Sequence, residues 1–299
     1  MAHRSMRRYL RAIRVRSILF ALVILMFASA LVAQTPPADP LPAPPARPAE
    51  ADLTVINLPT TLSISRHRSA FRMTHRLARD LRRGDFGDLA ADLFGLDNGA
   101  IIGLEYRFAI ADTLQAGIHR SILSKTIQTF ARWDAWKQAD RMPLSLSIVA
   151  SIEGLRNLRE NYQPAVAATI SHVRGDRLAL YATPAYVGHT RAAEFIEGHD
   201  HDHDIPGADE HSHHRDTFFV GLGTRARISS AAYLVAEYAP RLAGHNPGRG
   251  AWGVGIERRT RGHVLQLNAG NSFATTFGQL ARGGSRNEVY LGFNISRKF

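Results

Sequence analysis

The sequence predicts an all-β fold, an antiparallel transmembrane β-barrel of about twelve strands. Three observations predict it: segments of eight to twelve residues alternate apolar with small or polar residues from about residue 70 onward, short and long connections alternate between them, and an export signal precedes them.

The first element is the signal, residues 1–33. Arg4, Arg7, Arg8, Arg11, Arg14 and Arg16 form a basic start without an acid, Ile18 to Val32 is apolar, and Ala30 or Ala33 offers a cleavage point. A cleaved secretory signal peptide fits this pattern better than a membrane anchor, which stays as the alternative. The second element, residues 34–60, reads as a periplasmic linker. Thr35 to Glu50 holds seven of the fourteen prolines, and proline lacks the amide donor that a sheet or helix interior needs.

The third element, residues 61–299, is the predicted barrel. Twelve strands are read near Ala70–Arg76, Ala100–Ala109, Thr113–Ile122, Lys125–Trp136, Leu144–Ile152, Gln163–Val173, Leu178–Val187, Thr217–Ile228, Ala231–Pro240, Ala251–Arg258, His263–Ser272 and Glu288–Phe299. In the last, Val289, Leu291, Phe293 and Ile295 share one face, and Tyr290, Gly292, Asn294, Ser296 and Lys298 the other. Arginine at Leu291 or Phe293 is therefore expected to harm assembly more than arginine at Asn294, on the lumen side. Alternation alone also fits a soluble sandwich. Loop lengths separate the two readings. Ile110 to Asp112, Lys137 to Pro143, Arg174 to Arg177, Ser229-Ser230 and Thr260 to Gly262 are short; Leu77 to Gly99, Glu153 to Tyr162, Gly188 to Asp216, Arg241 to Gly250 and Phe273 to Asn287 are long. Short and long connections thus gather at opposite ends, the outer-membrane pattern, and only Leu123-Ser124 is tight on the long side. Thr61 to Ser65 fits a periplasmic arm, an inward-tucked strand or a thirteenth partner, and Asp85 to Phe94 a short helix in the first long loop. The last residue, Phe299, is of the aromatic type that commonly closes bacterial barrels.

The formal charge of +11 falls to 11 − 6 = +5 without the six early arginines, and the remaining basic residues are scattered, so nucleic acid is not an expected partner. The chain has no cysteine, which removes thiolate chemistry and Cys-based zinc sites.

Phe94-Gly95-Leu96-Asp97-Asn98-Gly99-Ala100, Gly103-Leu104-Glu105-Tyr106, Leu114-Gln115-Ala116-Gly117 and Lys125-Thr126 resemble a bacterial outer-membrane β-barrel family classed as a domain of unknown function. The resemblance runs from about residue 70 to the end, implies a barrel, and supplies no catalytic residues.

Two constellations stand out. His199, His201, His203, His211, His213 and His214 put six of fourteen histidines into sixteen residues of the 188–216 loop, where imidazoles interleaved with Asp200, Asp202 and Asp204 suit zinc, nickel or copper; a solvated loop without metal is the alternative. No cofactor is expected to be obligatory. Glu105, Arg107, Gln115, His119, Arg132, Asp134, Arg225, Arg227, Glu237, Glu257, Gln266 and Asn268 fall on the predicted lumen face, where mixed signs suit either a narrow aqueous channel or an internal network that fills it. No nucleophile-and-base motif stands out, so no catalytic residue is assigned. The sequence supports a passive pore or small-solute platform, then a filled barrel anchoring metal-binding or adhesive surface loops, then a lipid-acting enzyme. Expected partners are outer-membrane lipid, the barrel assembly machinery, and a small solute or divalent metal.

Overall fold

The computed structural model describes residues 49–139, 141–190, 215–244 and 249–299. The signal, the proline-rich run before residue 49 and all six loop histidines lie outside the described residues. The strands are β1 (Ser69–Asp80), β2 (Ala100–Ala111), β3 (Leu114–Ser121), β4 (Thr126–Trp136), β5 (Ser145–Gly154), β6 (Glu160–Arg174), β7 (Leu178–Thr190), β8 (Arg215–Arg227), β9 (Ala232–Ala239), β10 (Arg241–Ala243), β11 (Ala251–Arg259), β12 (His263–Gly270) and β13 (Tyr290–Lys298).

All pairings are antiparallel, and the sheet closes on itself. β1 pairs with β2 and with β13, and β8 with β7 and with β9. Pro240, which cannot donate to a ladder, separates β9 from β10, and β10 carries the same line onward against β8. The wall therefore has twelve strands and one short extra piece. Among the described residues closure leaves each of the twelve wall strands paired on both sides.

The alternation resolves into two environments. On β2, Leu104 and Tyr106 are 42% and 48% exposed, whereas Glu105 and Arg107 are 8% and 4% exposed. Charges inside and aliphatic or aromatic side chains outside invert a soluble sheet and match a lipid-facing wall. Leu180, Leu222, Leu234, Val254, Ile256 and Leu267 continue the exposed apolar belt. Exposed Trp133 and Trp136 stand toward its short-turn end, and exposed Tyr186 and Tyr238 toward its long-loop end.

Helix α1 (Phe86–Ala91) occupies the first long loop, started by a capping box in which Asp85 accepts from the Asp88 amide and Asp88 from the Asp85 amide. The tight Leu123-Ser124 connection is a 3-10 turn with Ser124 at φ 50. The connection read as long from Glu153 to Tyr162 is shorter than expected. β5 and β6 run on to Gly154 and from Glu160, and α2 (Leu155–Leu158) returns the chain through left-handed Arg156 and Asn157. α3 (Phe277–Ala281), in the last long loop, has all five residues buried.

Residues 49–60, read from the sequence as the end of a linker, lie instead inside the barrel. The chain enters from the short-turn end, reverses, and leaves toward β1. Thr54 bridges to Pro59, the Val55 amide donates to Leu58 O at 2.8 Å, and the Thr60 amide to Leu53 O at 2.9 Å. Thr61 to Ile64 is the outgoing arm; Thr61 and Ile64 are buried and Ser65 is exposed, so the Thr61 to Ser65 stretch is tucked inward in part and forms no strand. The wall makes room for the hairpin with inward glycines. A Cβ on Gly221 would lie 2.4 Å from Leu58 Cδ2, one on Gly223 3.0 Å from Val55 Cγ2, and one on Gly253 3.0 Å from Ile56 Cδ1.

Candidate functional site in the barrel lumen

Strand periodicity places the lumen residues, and their i, i+2 spacing pairs several of them. Arg107 Nη2 meets Glu105 Oε1 at 2.8 Å, and Arg132 Nε meets Asp134 Oδ1 at 2.7 Å. Asp134 also accepts from Ser147 at 2.8 Å, Gln115 at 3.2 Å and Ser63 of the hairpin at 2.8 Å. His119 Nε2 lies 3.0 Å from Thr275 Oγ1, and its Nδ1 3.7 Å from Glu105 Oε2. Across strands, Arg225 and Glu257, both fully buried, form a pair at 3.0 Å. Arg225 also donates to Thr54 O at 2.6 Å, while Gln266 donates to Glu257 at 3.1 Å and to Val55 O at 2.6 Å. Asn268 donates to Gln266 Oε1 at 3.1 Å. Arg227 sits apart, partly buried near the short turns, and pairs with Asp176.

Glu237 is held differently. Its Oε2 accepts the amides of Ile56, Asn57 and Leu58 at 3.0, 2.8 and 3.0 Å, and its Oε1 accepts Asn57 Nδ2 at 2.7 Å. Arg72 and Arg76, absent from the sequence-based lumen set, complete this arrangement. Arg72 donates to Ile56 O, and Arg76 donates to Asn57 Oδ1 at 2.8 Å and to Asn294 Oδ1 at 2.8 Å. Both arginines alternate with Phe71, Met73 and His75 on β1, which is the signal that would have found them. Glu153 and Gln163 were also missed; Glu153 accepts the Gly278 amide at 3.0 Å and fixes the start of α3.

α3 enters from the long-loop end and meets the hairpin. Leu58, Phe219, Phe277 and Leu280 form one apolar cluster where they touch. A cavity of about 40 Å³, bordered by Asn57, Glu105, Arg107, Arg132 and Thr275, remains between them. A much larger cavity, about 870 Å³, opens at the short-turn end beside Glu50, Ser63, Asp112, Lys137 and Gln138. Hairpin and α3 together occupy a lumen that the sequence left open to either conduction or filling. Among the described residues no group of three His, Asp or Glu side chains is placed to hold a metal ion.

Solved structures that align with the chain include the KdgM porin in complex with disordered oligogalacturonate, at 9% identity and TM-score 0.48 over 77% of this chain and 99% of that one. An outer-membrane channel from Pseudomonas putida F1 aligns at 12% identity and TM-score 0.45 over 79% and 97%. Omp33 of Acinetobacter baumannii aligns at 9% identity and TM-score 0.41 over 80% and 100%. No curated protein matches the sequence. The family model of a membrane-bound beta barrel domain, DUF5777, matches residues 51–299, a span that includes most of the hairpin as well as the wall. With a closed wall, an apolar belt and short and long connections at opposite ends, the chain is a bacterial outer-membrane β-barrel and belongs to this family.

Proposed function

We propose that the barrel is an outer-membrane channel for small polar solutes, held closed from the periplasmic end by the hairpin of residues 49–64. The observation that supports this reading is the chemistry of the hairpin's attachment. Arg72, Arg225, Gln266 and Asn294 of the wall donate to its carbonyls, and Glu237 accepts its amides. Each such bond exchanges for one to water with a net change of about 0.5–1.5 kcal/mol for Gln266 and Asn294 and about 1.5–3 kcal/mol for the charged Arg72, Arg225 and Glu237. The hairpin adds no strand to the sheet, so its departure leaves the wall's ladder intact. A polar lumen with charges of both signs then remains, the setting in which small polar solutes pass a barrel.

Planar-bilayer recordings test this. The intact mature chain is expected to stay mostly closed, and a chain with residues 49–64 deleted to conduct in steps. Gly221→Leu, which overpacks the hairpin tip by about 1–3 kcal/mol, is expected to open more often than the intact chain. A deletion variant that migrates as a folded, heat-modifiable barrel yet passes no current would sink the channel reading and favour a filled anchor, with α3 as the remaining seal.

A further inference from the structure

We infer that the lumen contains a binding site for a small zwitterion, a solute carrying both an ammonium and a carboxylate, formed by Glu237 on one side and Arg72 and Arg76 on the other. The inference rests on the channel reading and names a solute class for it. The hairpin turn Ile56–Leu58 fills this site in the closed state.

The pairing pattern of the lumen charges carries the argument. Arg107, Arg132 and Arg225 each have a wall carboxylate as partner. Arg72, Arg76 and Glu237 are 5%, 3% and 7% exposed, yet among the described residues they form no ion pair. Neutral groups of one turn contact all three, while Arg76 also donates to Asn294 Oδ1 and His75 O of the wall and Arg72 Nε keeps no partner. Glu237 takes three backbone amides and one side-chain amide, Arg72 the Ile56 carbonyl, and Arg76 the Asn57 carbonyl oxygen. The Asn57 carboxamide spans the gap by itself, donating to Glu237 at 2.7 Å and accepting from Arg76 at 2.8 Å.

Once the turn leaves, a carboxylate and two guanidiniums face the lumen, held apart on β9 and β1. Their fields select what replaces it. A simple anion leaves Glu237 without a partner, and a simple cation leaves Arg72 and Arg76 without one. A molecule with both charges meets each wall with its opposite, and adds to the charge-assisted hydrogen bonds a Coulombic attraction that the neutral turn lacks. The tethered turn competes at an effective concentration on the order of millimolar, which sets the range in which a free solute displaces it.

The test is equilibrium dialysis of radiolabelled glycylglycine, with N-acetylglycinamide as a similarly sized uncharged probe, against the full-length protein in detergent. Gly221→Leu loosens the turn and is expected to bind glycylglycine at least about tenfold more tightly than the intact chain; Gly221→Ala, with the same added Cβ, serves if that variant does not fold. Adding Glu237→Gln, or Arg76→Gln, to that background is expected to weaken binding about tenfold or more. N-acetylglycinamide is expected to bind neither form measurably. Equal binding of the two probes, or no binding of either, overturns the zwitterion site even if the channel conducts. Selective glycylglycine binding by a folded barrel that never conducts keeps the site and removes the channel.

Discussion

Truncating Glu257 to alanine is expected to destabilise the folded barrel by about 3–5 kcal/mol, the range for breaking a fully buried ion pair. Arg225 and Glu257 have no exposed side-chain surface, so solvent cannot replace the missing carboxylate. Two donors lose their acceptor at once, Arg225 Nη2 and Gln266 Nε2. Both still reach the hairpin, at Thr54 O and Val55 O, which leaves the guanidinium depending mainly on a displaceable segment, with Tyr181 Oη at 3.5 Å as its wall contact. The double variant Arg225→Met, Glu257→Leu separates the pair's electrostatics from its packing. Apolar replacement of a whole buried pair is often neutral, so most of the wall's stability is expected to return while the hairpin is held less firmly. Urea unfolding of the detergent-solubilised barrel measures the first effect. Accessibility of a cysteine placed at Asn57 to a periplasmic-side thiol reagent measures the second. A single variant as stable as the parent would contradict the description of Glu257 as the counter-charge of Arg225.

The wall was legible in the sequence because each of its rules is local. Glu105 with Arg107, and Arg132 with Asp134, sit two residues apart, so strand alternation alone puts both members of each pair on the lumen face. The Asp85 capping box is equally local and marks α1. The hairpin has no local rule. Leu53, Val55, Ile56 and Leu58 follow a proline-rich run and share neither strand nor helix period, and the Ile56 amide finds its acceptor 181 residues away in Glu237. One clue was present. Inward-facing Gly221, Gly223 and Gly253 leave space that water or a side chain from elsewhere must fill, and here Leu58, Val55 and Ile56 fill it. α3 escaped for a related reason: its helix is five residues long, and Phe277 and Leu280 acquire their partners only because the loop folds inward.

Filling of the lumen also reverses one expectation about the last strand, and two arginine substitutions expose the reversal. Phe293 faces outward on β13, stacked on His75 at 4.4 Å, and arginine there meets hydrocarbon, costing about 2–4 kcal/mol near the bilayer midplane. Asn294 faces inward, where a water-filled lumen would accept arginine cheaply. Asn294 is instead 2% exposed, accepts Arg76 Nη1 at 2.8 Å, and donates to Gln266 Oε1 at 2.7 Å and to Ile56 O at 3.2 Å. Arginine at 294 removes the acceptor for Arg76, sets a second guanidinium against it, and overpacks a full lumen by about 1–3 kcal/mol before the lost hydrogen bonds are counted. Both variants are therefore expected to impair assembly of the intact chain to a similar degree, read as loss of the fast-migrating unheated band on gels. Deleting residues 49–64 distinguishes them. Without the hairpin the inner face of β13 is wetted, and Asn294→Arg is expected to assemble nearly as well as its own parent, whereas Phe293→Arg, whose penalty comes from lipid, is expected to stay defective. An Asn294→Arg defect unchanged by the deletion would mean that the hairpin is not what fills the space beside Asn294.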